Sequence, residues 1–450
     1  MGKSVYPLLV MERDVQKQER TGEDADGERD QQRRRVDPGS LAPWFLARCC
    51  LSTPPPPPPP PCHYVAQTDT RRALQSHVHY TQEASCLQHS PLHPLSSVHA
   101  SLAIINTAPH SQPTFFTMTH SYTTAQLNSF LEFGIQLAQL AGPVILEGFN
   151  SRFSPERSAL LVKKGNTADL VTEWDQKVEK MVRAQIAEKM KDHCFIGEET
   201  VAGGEECKLT DAPTWIVDPI DGTTNFVHGF PFVAISIGLT INQEPVVGVI
   251  YNPILNQLFT AVKGQGAYLS KIDETPKTQG RRLPLSYPHA APPLPSLSMA
   301  LVAGEYGSDR STDIFDPKVK SMRNLAARDP SSLAPGRAVG HAHGMRCLGS
   351  AAMNMMAVAQ GQIDVYWEVG PWEWDVCAGI IIVREAGGVV VDGCGRDVTD
   401  GELLTGRRIL TVRGCCGEDG DSSADASAAA QMKIVQEVWT VVEDIKCPRK

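Results

Sequence analysis

The chain has 450 residues, more than one typical domain, so two cores fit within it. Its 42% hydrophobic content is near the globular norm, and a net charge of −9 excludes a general nucleic-acid binder. No apolar stretch reads as a membrane span, and twelve cysteines without a Cys-x-x-Cys pair argue against a zinc site or a disulfide scaffold.

Such cysteine usage suits a reducing compartment. The start, Met1-Gly2-Lys3-Ser4-Val5-Tyr6, lacks the Ser or Thr that myristoylation expects, and no leader pattern is evident. A cytoplasmic protein without membrane or nucleic-acid partners is the expectation.

Residues 1–120 do not read as a folded domain. Glu19 to Arg35 is almost wholly polar, and Pro54 to Pro61 is an unbroken run favouring polyproline II. Such composition cannot bury enough apolar surface to offset its ordering entropy. It predicts a disordered extension, either a docking tail or a dispensable one, with Met118 a candidate alternative start.

Helical spacing begins near Thr124. Leu127, Phe130, Leu131, Ile135, Ala138, Leu140 and Ala141 predict a helix over 124–141 that Pro143 perturbs or ends. A charged helix follows from Asp175 to Lys191, with Val178, Met181, Val182 and Ile186 on its apolar face. Phe195-Ile196-Gly197 reads as a short strand leading to Glu198 and Glu199. That pair alone carries almost no information.

Trp215-Ile216-Val217 reads as a buried strand ending on Asp218, after which Pro219 forbids a central ladder position. Asp221, Gly222, Thr223, Thr224 and Asn225 follow. Two carboxylates at a strand end can hold hard cations, which prefer oxygen ligands. Gly222 permits close backbone approach to a phosphate. A helix starting near Thr223 would turn free N–H groups toward an anion.

Phe232 to Thr240, Val246 to Tyr251 and Leu258 to Val262 read as strands of a substantially antiparallel first domain, 121–295. Gly264-Gln265-Gly266 is a strand connection without the third glycine of a dinucleotide fingerprint. A proline-rich link leads to a second domain, 296–450, opened by a strand from Ser298 to Gly304. Polar segments near 326–345, with His341 and His343, and near 414–429 break the pattern.

Ser350 caps an apolar helix reaching Ala359. Ile363 to Glu368 reads as a strand, Ala378 to Ala386 as a helix stopped by Gly387-Gly388. Arg407 to Val412 reads as the last strand and Met432 to Val442 as the last helix.

Trp215 to Gly229, with Phe195 to Thr200 upstream and Trp374-Asp375-Val376-Cys377-Ala378-Gly379 downstream, resembles the inositol monophosphatase family. These are magnesium-dependent, lithium-sensitive phosphatases, and the resemblance runs roughly from Leu127 to the C-terminus. It implies an α/β fold, a layered sandwich of two sheets interleaved with helices, with the site between domains and a homodimeric assembly. The polar segments then read as insertions, and Lys163 to Thr172 looks like the family's loop beside the site.

The resemblance also implies the roles. Mg2+ would be held by Glu198, Asp218 and the Ile220 carbonyl, and again by Asp218, Asp221 and Asp375. A third, weaker ion would lie near Glu198. Thr223, helped by Glu198, would orient the attacking water, and Gly222 and Thr223 N–H groups would hold the phosphate. Ser350, Ala351, Asp221, Asp375 and Glu368 would meet the substrate. Asp175 resembles an acid acting through water, and a helix-start carboxylate explains it as well. No covalent phosphoenzyme is implied.

The expected reaction is hydrolysis of myo-inositol monophosphate. The alternatives are a phosphatase for bisphosphorylated nucleotides, histidinol phosphate or other sugar phosphates, and a catalytically silent protein on the same scaffold.

Overall fold

In the computed structural model, which describes residues 121–151, 168–273, 280–329 and 338–449, the apolar spacing after Leu127 forms α1, Thr124–Ser151. The expected extension over 1–120 and the first half of the expected loop over Lys163–Thr172, residues 163–167, lie outside the described residues; the second half is helical. Pro143 sits inside α1 and does not end it. A proline there costs roughly 3 kcal/mol. Beyond it Ile145 and Phe149 are buried, each worth about 1.5–3 kcal/mol, so packing wins. Gly142 lies against Tyr251 so closely that a Cβ would come within 2.5 Å of the ring. By length and composition α1 is apolar enough to cross a membrane, contrary to the sequence reading, and 50% of its apolar window is buried within the protein.

The charged helix begins earlier than expected, as α2, Ala168–Lys189, with Val178, Val182 and Ile186 buried. Then come β1 (Cys194–Gly197), α3 (Glu198–Ala202), β2 (Thr214–Asp221), α4 (Thr223–His228) and β3 (Ala234–Ile241). β4 (Glu244–Asn252), β5 (Gln257–Val262), β6 (Ala267–Ser270) and β7 (Arg281–Arg282) complete a sheet of seven strands in chain order. Only the β1–β2 pair is parallel, so this sheet is substantially antiparallel. β2 runs past Pro219 to Asp221. Its pairing with β3 shifts register between Asp218 and Asp221, and the proline falls in that irregularity, where no ladder donor is needed.

A 3-10 turn, Leu297–Met299, leads to β8 (Leu301–Gly304), α5 (Thr312–Ala326) and β9 (Gly344–Arg346). α6 (Ala351–Gln360), β10 (Val365–Val369), α7 (Glu373–Glu385) and β11 (Val389–Asp392) follow. Last are α8 (Asp400–Thr405), β12 (Arg408–Val412) and α9 (Ala424–Val441). The second sheet has five strands in the order β11-β12-β10-β8-β9. α9 starts well before the expected Met432, so the far end of the polar segment near 414–429 is its first turns, capped by Ser423.

Three apolar cores separate five layers. α1 and α2 cover one face of the first sheet through Leu137, Ile145, Val182 and Trp215. α6 and α7 fill the space between the sheets through Met355, Ile381, Ile216 and Tyr366. α9 covers the outer face of the second sheet through Ile434, Val438, Trp367 and Leu410. The alternation along β10 shows why: Tyr366 faces the middle core and Trp367 the outer one. This is the layered α/β sandwich.

Candidate active site

The end of β2 is where the carboxylates meet. Asp218 and Asp221 are both buried. Asp218 is restrained by its own turn, in which Ile220 N donates to Oδ1 at 2.9 Å. Gly222 then reverses the chain with φ 89°, and a Cβ there would lie 2.7 Å from Phe232 O, so only glycine fits. α4 begins at the next residue, and the Thr223 hydroxyl donates back to Ile220 O at 3.4 Å.

Asp221 is held from the far side of the molecule. Its Oδ2 accepts from the Ser350 hydroxyl and from Ala352 N at 2.8 Å, while Ser350 Oγ caps α6 by accepting from Met353 N at 3.1 Å. Asp375 stands in the first turn of α7, where its Oδ2 accepts from Trp372 N at 2.6 Å. Glu198 opens α3. That short helix is fixed by Glu179 of α2, which accepts from Glu199 N at 2.7 Å, Thr200 N at 2.7 Å and the Thr200 hydroxyl at 2.5 Å.

Oxygens of Asp175, Glu198 and Asp218 lie within 4.8 Å of one another, as do those of Asp218, Asp221 and Asp375. Asp218 belongs to both groups. Burial, then mutual repulsion, pushes Asp218 and Asp375 well above the carboxylate range. The same two causes raise Asp175. Glu198 rises to about 7 by burial and Glu199, and Asp221 to about 6 by burial, opposed by its bond from Ser350. Asp175 Oδ2 is buried without a partner. Five crowded carboxylates, with only oxygen ligands and no ion pair to them among the described residues, fit a hard divalent cation such as Mg2+.

The cluster borders a cavity of about 500 Å³, lined also by Gly222, Thr223, Ser350, Ala351 and Trp372. Glu305, Lys318 and Glu368 line it too, with Arg310 and Arg407. Glu368 accepts from the Tyr366 hydroxyl, and burial with nearby Glu305 raises it to about 8. Glu305 accepts from Leu348 N at 2.6 Å, Gly349 N at 2.9 Å and Asn354 Nδ2 at 2.9 Å.

All the residues to which the resemblance gave a metal, catalytic or substrate role border this cavity or its carboxylate cluster, Ile220 through the turn between the two aspartates. Asp175 joins the cluster directly. Among the described contacts the Thr223 hydroxyl bonds Ile220 O and not Glu198. The sequence reading missed Glu179, Glu305 and Lys318. Glu305 had a signal, since it follows the end of β8 as Asp218 and Glu198 follow apolar strand residues. Lys318 had one as well: it interrupts an apolar stripe on α5. His341 and His343 take no part in this cavity.

A family model described as the inositol monophosphatase family matches residues 126–443. Protein qutG of Emericella nidulans is 38% identical over 336 residues, covering 72% of this chain and 96% of that one. Inositol monophosphatase 1 of Homo sapiens is 39% identical over 283 residues, covering 63% of this chain and 88% of that one. Among solved structures, an inositol monophosphatase from Anabaena (Nostoc) sp. PCC 7120 aligns with 27% identity and a TM-score of 0.47 over 69% of this chain and 97% of that one. With its match spanning most of the sequence, the chain belongs to the inositol monophosphatase family.

Proposed function

We propose that the chain is a magnesium-dependent phosphomonoesterase that hydrolyses a small phosphorylated polyol, myo-inositol monophosphate first, to polyol and phosphate. Family membership supports the phosphatase chemistry. The observation that carries the finer reading is Asp218, shared by two oxygen clusters beside a cavity with hydrogen-bonding groups on its other wall. Magnesium held by Glu198, Asp218, Asp221 and Asp375, with the Ile220 carbonyl and Asp175 nearby, would neutralise phosphate charge and acidify water.

The chain's own residues prepare that site. Ile220 N, Ser350, Ala352 N and Trp372 N fix three carboxylates before any ligand arrives. The Thr223 hydroxyl spends its proton on Ile220 O, which leaves its oxygen to accept from a water. Glu198 lines the same cavity and supplies a second acceptor for that water. A homodimer and lithium sensitivity belong to the same reading.

A second reading, a phosphatase for bisphosphorylated nucleotides or charged sugar phosphates, is favoured by Lys318, Arg310 and Arg407 on the cavity wall. Glu305, Glu368 and Asp309 line the same cavity, so those cations do not form an uninterrupted basic receptor for a second phosphate. The polyol reading is therefore preferred. Phosphate release over a panel of polyol, bisphosphate, histidinol and aryl phosphates, with and without magnesium, tests it. Asp218→Asn should lower the rate roughly a thousandfold or more. An undiminished rate in the folded variant would sink the assignment.

A further inference from the structure

α5 buries Ile314, Lys318, Ser321, Met322 and Leu325, spacings of a core stripe. Its second member is a lysine only 1% exposed. Lysine is almost never buried unless paired. Here Nζ donates to Tyr306 O at 2.9 Å and makes no ion pair among the described residues. An ammonium has three N–H donors, so the rest of its capacity is unused. A neutral donor would tie down the Tyr306 carbonyl equally well, and would avoid burying a charge.

The ammonium faces the cavity. Gly307 and Gly370 both line that wall, and a Cβ on them would come within 2.7 Å and 3.4 Å of Nζ. Gly307, at φ +67°, also lies beside Glu368, since the same Cβ would be in ordinary contact with Oε1 at 3.8 Å. Tyr366 occupies the other oxygen of Glu368, Oε2. A donor and an acceptor thus lie beside Gly307 on the same stretch of the cavity lining. A hydroxyl, which donates and accepts at once, is the group that satisfies both.

We propose that Lys318 is a specificity-determining residue whose unused N–H groups, together with Glu368 Oε1, grip one hydroxyl of the substrate's polyol portion. The inference rests on the polyol-phosphate reading above and adds the donor that faces Glu368. Burial draws the lysine's pKa down, and the neighbouring Glu368 only partly opposes this.

The test compares Lys318→Met and Lys318→Gln with wild type, full-length and with magnesium, on myo-inositol 1-phosphate and on an aryl phosphate without hydroxyls. Lys318→Met should lose about tenfold or more in kcat/KM on the inositol phosphate and less than about twofold on the aryl phosphate. Lys318→Gln, which keeps a donor, should recover part of the loss. It also decides the matter on the same substrate ratio if the Met variant does not fold. Equal losses on both substrates would show a packing role and overturn the proposal, as would no loss on either. A wild type that prefers a bisphosphate, with the loss on that substrate, overturns the hydroxyl role in favour of an anion site. A wild type that cleaves the aryl phosphate but no polyol phosphate removes the functional reading itself. Activity on inositol phosphate with flat variants removes only the role of Lys318.

Discussion

Ser350 serves two elements with one oxygen, donating to Asp221 and accepting from Met353 N. Ser350→Ala should cost about 1 kcal/mol of stability through the lost cap. It should also lower kcat/KM, because Asp221 loses a restraint, while Ser350→Thr should keep both properties. Thermal unfolding and steady-state kinetics on the same samples check the pair. His193 offers a different handle. Trp215 Nε1 donates to its Nδ1 at 3.0 Å, which requires that nitrogen to be unprotonated. Burial draws its pKa below 6.5, and Asp192 only partly opposes this. The unfolded chain then binds the proton first as pH falls. The stabilising contribution is therefore complete above about 6.5 and is lost as pH falls through the lowered folded value. Denaturation at pH 7 and pH 5 should show a smaller acid loss in His193→Gln than in wild type; parallel losses would assign the acid sensitivity elsewhere.

At the scale of elements, α1 poses a test of propensity against packing. Pro143 is solvent-facing within it. Pro143→Ala should raise stability by about 2 kcal/mol, the helix-interior penalty less the entropy returned to the unfolded chain. A lower melting temperature would mean that the proline sets the close seat of Gly142 on Tyr251. The same conflict explains which elements the sequence disclosed. Long stripes such as Val178, Val182 and Ile186 announce a helix wherever they end. The first turns of α9, rich in exposed alanine and serine, have no stripe to read. β7, β9, β11 and α8 are two to six residues long, too short for a period. In the site, Asp218, Asp221 and Gly222 were legible because strand, bulge and helix start are local in sequence. Glu179 was not, because its backbone partners lie 20 or more residues away, and the strand-end signal of Glu305 went unread because its backbone partners lie 43 and 44 residues on.

For the whole molecule, the family match beginning at residue 126 and the first core helix at Thr124 predict that a chain starting at Met118 keeps its magnesium-dependent rate and melting temperature. Loss of both would give the preceding residues a share in the folded enzyme. The link between Asp221 and the α6 turn reaches further still. Its two hydrogen bonds join residues 129 and 131 positions apart. A growing chain therefore completes β1 to β7 while α6 and α7 are still unmade, and the sheet face bearing Ile216, Ala234, Ile250 and Phe259 waits uncovered. That interval is when the polypeptide is most exposed to association with its own kind. Long-range closure is also slow closure. On refolding from denaturant, helical circular dichroism should return before phosphate release does, and simultaneous recovery would show that both sheets and the helices between them condense in one step.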